Sequence, residues 1–177
     1  SASLQGPSVA FGSTLTAQGS IAISADEIDF AGTVASTGGG NLLLQPISPG
    51  LGINLGSAAG ATSNLDLTAG ELGLISAGFG GVTIGQAGGS HLVTIGAAGF
   101  DNPLLVRTGT GGGAVVVNGA FTNANGKTMT LQSSGSITDP GGAGLLSTTG
   151  LLDLRAGAGV GTIAKPLHAN AGLLAVD

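Results

Sequence analysis

The chain has 177 residues, of which 36 are glycine and 7% are charged, and its formal net charge is −5. Apolar residues make up 42% of the chain, which is too many for a disordered polar tail. With six prolines and no Gly-X-Y period, the sequence is not a collagen. Cysteine is absent, which excludes disulfides, thiolate metal sites and cysteine catalysis.

Membrane-spanning and nucleic-acid-binding segments are not expected either. No apolar run reaches the roughly 18 residues of a transmembrane helix, and no signal peptide is recognisable. We interpret the chain, which begins at Ser1, as a processed product or a piece of a longer protein. The strongly basic residues are too scattered for a phosphate-binding stripe. They are Arg107, Lys127, Arg155 and Lys165.

Short strands are the predicted elements along the whole chain. Helix signals are almost absent, because glycine recurs throughout and each interior glycine costs a helix about 1 kcal/mol. Triplets of the form apolar–x–apolar recur instead between turn residues, which is the period-two pattern of a β-strand. In chain order they are Ile21-Ala22-Ile23, Ile53-Asn54-Leu55, Leu65-Asp66-Leu67, Leu72-Gly73-Leu74, Val82-Thr83-Ile84, Val93-Thr94-Ile95, Met129-Thr130-Leu131 and Leu152-Asp153-Leu154.

Three columns of apolar residues recur with a constant step of 21 in sequence. They are Ile53, Leu74, Ile95, Val116 and Ile137; Leu51, Leu72, Val93 and Ala114; and Phe79, Phe100 and Phe121. A second series runs through Val82, Leu104 and Met129 with steps of 22 and 25. Its extra residues fall in the polar segment 122–127, which we interpret as an outward turn, since insertions in solenoids map to loops.

This repeat predicts an all-β fold, a right-handed parallel β-helix with about 21 residues per coil. Dividing the chain length by this period gives about eight coils, which would form a rod of roughly 40 Å at the usual strand spacing. No linker or change of composition divides the chain, so residues 1–177 are predicted to form a single solenoid segment.

Several short sequence segments resemble the repeat region of filamentous-haemagglutinin-type adhesins and related giant bacterial surface proteins. They are Leu152-Asp153-Leu154-Arg155-Ala156-Gly157, Gly161-Thr162-Ile163-Ala164-Lys165-Pro166-Leu167, Leu173-Leu174-Ala175 and Leu65-Asp66-Leu67-Thr68-Ala69-Gly70. The resemblance implies a right-handed parallel β-helix, secretion to the cell surface, and a role in adhesion or biofilm. The sequence departs from the family in lacking its amino-terminal secretion domain and any Arg-Gly-Asp triplet.

Two glycine-containing phrases are interpreted as turns rather than nucleotide sites. Residues 109–114 fit G-x-G-x-x-A, but a dinucleotide site needs a helix next, and the apolar run after Gly113 predicts a strand. Asn125-Gly126-Lys127-Thr128 resembles the end of a P-loop, yet Phe121 stands where that motif needs glycine. An Asn-Gly turn explains the second phrase.

The acidic cluster near the start of the chain and the Asp153–Arg155 pair are interpreted as surface groups rather than sites. Asp26, Glu27 and Asp29 form a cluster that could attract Ca²⁺, but a solvated strand edge explains it better, since the calcium nonapeptide repeat is absent. The candidates for catalysis in a carbohydrate-cleaving β-helix are Asp101, Asp139, Asp153, Arg107 and Arg155. Asp153 and Arg155 lie two apart on one strand, so we expect a surface salt bridge there.

Histidine and threonine do not predict a site. His91 and His168 lie more than three predicted coils apart and are interpreted as isolated turn residues rather than a metal pair. An ice-binding face would need a threonine column, and the step from Thr62 to Thr83 continues to Leu104.

We therefore expect a non-catalytic structural and adhesive stalk, outside the cell or on its surface, with no catalytic, cofactor or metal site. Its expected partners are coils of the same or identical chains stacked end to end, and host or matrix glycans. The alternatives are a subunit of a self-assembling extracellular fibre and a carbohydrate-binding or carbohydrate-cleaving β-helix. Nucleic acid and membrane insertion are not expected.

Overall fold

The computed structural model describes residues 1–56 and 63–177. It is an all-β parallel solenoid of about eight coils, which confirms the predicted fold, and the coils are about 22 residues apart, close to the predicted period. Each regular coil contains three short strands, so the rod has three faces, here called faces one, two and three. Thr62, the start of the threonine step, lies outside the described residues.

Face one is the longest continuous ladder. Its strands are β1 (Ala2–Gln5), β4 (Ile21–Ser24), β7 (Asn41–Gln45), β10 (Gly81–Ile84), β13 (Leu104–Arg107), β16 (Met129–Ser133) and the second halves of β18 (Leu145–Ala156) and β20 (Ala169–Val176). Val82 pairs with Leu104, Leu104 with Met129, and Met129 with Leu152. The predicted series with a variable step is therefore confirmed as one ladder.

Faces two and three complete each coil. Face two contains β2 (Ser8–Phe11), β5 (Glu27–Phe30), β9 (Asn64–Leu67), β8 (Gly52–Leu55), β11 (Leu92–Ile95), β14 (Ala114–Val117), β17 (Ser136–Thr138) and β19 (Gly159–Val160). Face three contains β3 (Leu15–Ala17), β6 (Val34–Ser36), β12 (Ala98–Phe100), β15 (Ala120–Asn123) and the first halves of β18 and β20. The paired strands of these two faces are parallel, and the strand ladder is interrupted between β5 and β9 on face two and between β6 and β12 on face three.

An insertion interrupts the regular winding after β7. Strands β8 and β9 pair side by side, with Ile53 beside Leu65, although they are much less than one coil length apart in sequence. As a result, β8 pairs next with β11 and β7 with β10, each nearly two coil lengths further along the chain. The coil after β7 is therefore nearly twice as long as the others.

A short helix, α1 (Ala69–Leu74), follows the insertion where the sequence predicted a strand at Leu72-Gly73-Leu74. The Thr68 side chain accepts from the Glu71 backbone N–H, and Glu71 accepts from the Thr68 N–H, which together form a capping box. This prediction was wrong because local capping outweighs the weak strand signal of a single triplet. Leu72 is the buried residue of this helix.

The predicted columns with the constant step were also wrong in detail. Val93 pairs with Val115 and Ile95 with Val117, one position later than predicted, so Val116 faces outward. Phe79, Phe100 and Phe121 are all buried, but Phe121 lies beside Ala98 and not beside Phe100. A change of register by one position turns a strand residue to the other side, so the constant step cannot keep these columns stacked.

Ladders of branched apolar residues fill the interior. Successive neighbours such as Ile84, Val106, Leu131 and Leu154 are at most 2% exposed. Side chains two positions apart on one strand point to the same side, so each coil contributes a pair of core residues per face. In the described part of the chain, no helix has the length and apolar character needed to span a membrane.

Candidate functional site

The outer side of face one carries the longest polar side chains of the rod in one column. Arg107 pairs in register with Gln132, and Gln132 pairs with Arg155. Each stands three positions after a core residue of the confirmed ladder, namely Leu104, Met129 and Leu152. This constant offset of three residues would have predicted the column from the sequence, given the steps of 25 and 23 residues between these core residues.

A shallow groove of about 450 Å³ lies beside this column. We call it the Arg107 groove. Among the residues that line it are Asn41, Leu43, Thr83, Leu105, Arg107 and Thr130. A second hollow of about 250 Å³ adjoins it on the other side of Arg107, next to Gln132 and Ser134. The guanidinium group therefore separates two hollows on the same face.

Arg107 is held in place by one backbone contact. Its Nε donates a hydrogen bond of 3.0 Å to the Gly85 carbonyl oxygen in the coil below. Partial burial lowers the pKa of Arg107 below its ordinary value, but an arginine remains charged at neutral pH. No ion pair within residues 1–56 and 63–177 includes Arg107.

Asp153 and Arg155 form the expected salt bridge. The Arg155 Nη2 atom lies 2.6 Å from Asp153 Oδ2, and the arginine side chain is 55% exposed. This hydrogen bond and the charge of Asp153 raise the pKa of Arg155. The contact confirms the expected salt bridge, although the Asp153 side chain is only 11% exposed, and it engages one oxygen of a candidate catalytic acid.

Asp139 is a buried carboxylate that holds a loop. Its Oδ1 accepts from the Gly142 N–H at 2.7 Å and its Oδ2 from the Gly144 N–H at 3.0 Å. His168 Nδ1 lies 3.4 Å from the same Oδ2, so His168 is not the isolated turn residue that the sequence predicted. These two side chains are distant in sequence and meet because one coil stacks on the next.

His91 was also predicted to be an isolated turn residue, and this was wrong. Its side chain is fully buried, and Nδ1 donates to the Leu51 carbonyl oxygen at 2.8 Å. The other ring nitrogen, Nε2, has no hydrogen-bond partner within the described residues. The two histidines do not contact each other. His91 contacts Leu51, whereas His168 contacts Asp139 nearer the carboxyl-terminal end of the rod.

The acidic cluster is more structured than the predicted solvated edge. Burial disfavours the charge of Asp26, but hydrogen bonds from the Ser48 hydroxyl, the Ser48 N–H and the Ile47 N–H outweigh it and lower the pKa of this carboxyl. Burial raises the pKa of Glu27, and repulsion from Asp29, Asp66 and Glu71 raises it further. Strand β9 and helix α1 bring the last two acids to this face.

A polar corner between faces three and one was not predicted. Asn102 is fully buried, and its Oδ1 accepts from the backbone N–H groups of Gly78 and Phe79 at 3.1 Å each. Its Nδ2 donates to the Ser76 carbonyl oxygen. Asn123 in the next coil donates to the carbonyl oxygens of Asn102 and Thr128. These amides satisfy backbone groups where the chain turns.

The remaining motifs form turns. The glycine-rich run 109–113 leads into strand β14 rather than a helix, and Asn125-Gly126 forms a turn with Asn125 at a φ of 57°. Asp101 accepts from the Asn125 side chain at 2.7 Å. Asp101, Asp139 and Asp153 thus each have a separate local partner, and they do not converge on one groove. Among the described residues, no three His, Asp or Glu side chains could hold a metal ion.

Comparison with known proteins gives no relative: no family model, no curated protein and no solved structure matches this chain.

Proposed function

We propose that this chain is a structural and adhesive stalk module of a filamentous bacterial surface or secreted protein, and that it performs no catalysis. The observation that carries the proposal is the unbroken ladder of face one, in which parallel strands pair from β1 to β20. Backbone hydrogen bonds along this ladder and the apolar stack beneath it resist bending and proteolysis. The resemblance to filamentous-haemagglutinin-type repeats supports the same proposal.

The Arg107 groove does not fit a carbohydrate-cleaving enzyme. Acid-catalysed glycoside cleavage needs two carboxyl groups that face each other across one groove, about 5 to 10 Å apart. The Arg107 groove is lined by hydroxyl, amide and apolar groups, and no carboxylate is among its lining residues. The candidate acids support local structure instead.

A second candidate, a subunit of a self-assembling fibre, is favoured by one observation. Leu174 and Val176 occupy core positions of the ladder, above Leu152 and Leu154, yet each is 58% exposed. Another coil with the same cross-section would cover them. The first strand, Ala2–Gln5, carries no charge that would oppose such stacking.

Negative-stain electron microscopy of the purified chain over a concentration series separates the two candidates. A stalk segment should remain a short rod of constant length, roughly 40 Å if eight coils stack at the usual spacing. A fibre subunit should form filaments whose length grows with concentration. Leu174→Asp, which places a charge in the exposed core position, should abolish filaments and leave the short rods intact.

The enzyme alternative is tested separately with the same preparation. Incubation with neutral and acidic polysaccharides, followed by analysis of reducing ends and of unsaturated products, should detect no cleavage. Turnover that is lost in a variant of Asp101, Asp139 or Asp153 would contradict the proposal of a non-catalytic module.

A further inference from the structure

We infer that the Arg107 groove binds an acidic oligosaccharide, with the Arg107 guanidinium as the anchor for a sugar carboxylate. This inference rests on the adhesive part of the proposed function and names the chemical class of the ligand. It starts from the one described arginine that has no acidic partner: Arg155 pairs with Asp153, whereas Arg107 contacts only the carbonyl oxygen of Gly85.

The position of Arg107 prepares it for a carboxylate. Its neighbour in the column below is Gly85, which has no side chain, so the guanidinium lies over open backbone. The contact through Nε fixes the direction of the group and leaves both terminal nitrogens without a hydrogen bond in the described part of the chain. A planar guanidinium with free donors binds a carboxylate through two parallel hydrogen bonds.

The rest of the groove suits a sugar chain rather than an isolated anion. Thr83 and Thr130 present hydroxyl groups, and Asn41 presents an amide, so donors and acceptors are spread over several coils. Leu43 and Leu105 alternate with these threonines in the same outward column. Apolar patches between hydroxyl groups match the C–H faces and O–H edges of a sugar.

Arg107 is the arginine of face one whose charge no neighbouring acid offsets among the described residues. The chain as a whole is acidic, with nine acids against four strong bases. Arg107 and Arg155 share one column two coils apart, which is about 10 Å, but Asp153 offsets the charge of Arg155, so Arg107 supplies the unpaired positive charge of this column among the described residues. The cluster of Asp26, Glu27 and Asp29 lies at and beside β5 on face two.

The test uses the full chain and a fluorescently labelled tetragalacturonate, with binding followed by fluorescence polarisation. The wild-type chain should bind this probe and should not bind the same tetrasaccharide after its carboxyl groups are reduced to alcohols. Arg107→Gln should weaken binding about tenfold or more, because it removes a charge-assisted hydrogen-bond pair. Arg107→Lys should bind more tightly than Arg107→Gln but more weakly than the wild-type chain, because an ammonium group keeps the charge but cannot form the two parallel hydrogen bonds.

Lys165→Gln is the matched control. It changes the net charge by the same amount, but Lys165 is exposed and contacts the Pro140 carbonyl oxygen away from the groove. Equal losses in Arg107→Gln and Lys165→Gln would mean non-specific attraction and would overturn the inference. So would an absence of binding by the wild-type chain. A thermal melt of each variant checks that the rod is intact.

A tetraglutamate peptide at equal charge distinguishes a sugar site from a general carboxylate site. The peptide should compete poorly, and competition equal to that of the oligosaccharide would overturn the assignment to a sugar. Failure of all these binding tests leaves the rod morphology in electron microscopy untouched. Electron microscopy therefore tests the stalk proposal, and the binding assays test the sugar site, so that either can fail without the other.

Discussion

Single glycines determine how closely one coil can approach the next. Gly85 has a φ of 104°, and a Cβ at this position would overlap the carbonyl oxygen of Arg107 in the coil above. Gly73, in contrast, lies in helix α1 with open space around it. The same residue type therefore has two roles, one required by packing and one replaceable.

Gly85→Ala should destabilise the rod by at least about 2 kcal/mol, because both the backbone angle and the overlap oppose a side chain. Gly73→Ala should be neutral or should stabilise the helix by up to about 1 kcal/mol. Urea denaturation of both variants measures the difference. Equal effects on the free energy of unfolding would contradict the close approach of the two coils.

Two acids at the start of the second coil respond to pH in opposite directions. The pKa of Asp26 is lowered below its ordinary value of 3.8, so its contribution to stability is present above that value and is lost as the pH falls through the folded pKa. The pKa of Glu27 is raised above its ordinary value of 4.5. Its ionised form destabilises the folded chain, and this cost disappears as the pH falls to about that value.

Glu27→Gln should therefore raise stability at pH 7 by up to about 0.5 kcal/mol, a small amount because Glu27 is only half-buried and solvent screens its charge. The advantage over the wild-type chain should vanish as the pH falls below 4.5, where Glu27 becomes protonated in both states. Asp26→Asn is the control of opposite sign. It should lower stability at pH 7, and the difference should shrink only below about pH 3.8. Thermal melts across this range check both curves.

At the scale of the element, the insertion and the corner show how irregular parts of the chain are accommodated. Helix α1 depends on its capping box, and Glu71 also accepts from the Phe30 N–H in the coil below. The Asn102 corner joins segments that are about one coil length apart in sequence. The Glu71 side chain and the Asn102 amide thus form hydrogen bonds with backbone groups that have no partner in a regular ladder.

Asn102→Ala should cost about 3 kcal/mol or more, because it leaves three backbone groups at a buried corner without these hydrogen bonds. Asn118→Ala, at an exposed position next to strand β14, should change stability by less than about 0.5 kcal/mol. Chemical denaturation gives both values. A cost for Asn102→Ala no larger than for Asn118→Ala would show that the corner does not need the amide.

At the scale of the whole molecule, stability is distributed along a stack in which each coil contacts chiefly its neighbours. Central coils have a covered surface on both sides, whereas the last strand exposes Leu173, Leu174 and Val176. In such a stack the free energy of folding is approximately a sum of coil terms and interface terms. The same substitution should therefore lower the free energy of unfolding more in a central coil than in the last one.

Leu131→Ala, in a fully buried ladder position, should cost about 2 to 5 kcal/mol, because it leaves a cavity between two coils. Leu173→Ala, at a side chain that is 68% exposed, should cost less than about 0.5 kcal/mol. The comparison uses the free energy of unfolding of each variant in urea. A large cost at Leu173 would instead indicate that another coil covers this end in solution.

The sequence by itself determined the class of fold, because a period-two alternation bounded by glycine allows short strands and little else. The repeat of the ladder through Val82, Leu104 and Met129, the number of coils, the two turns and the Asp153–Arg155 pair all followed from spacing. These features depend on local geometry or on a repeat that can be counted along the chain.

Only the tertiary structure decided which residues stack. The step of 22 residues between β11 and β14 brought Val115 rather than Val116 into the core, and the insertion placed Ile53 between Leu65 and Val93. The same stacking brought His168 to Asp139, buried His91, and placed Arg107 over Gly85 with no acidic partner among the described residues. The physical reason is that a strand side chain reverses with each step of register, so small variations in coil length decide every contact between coils.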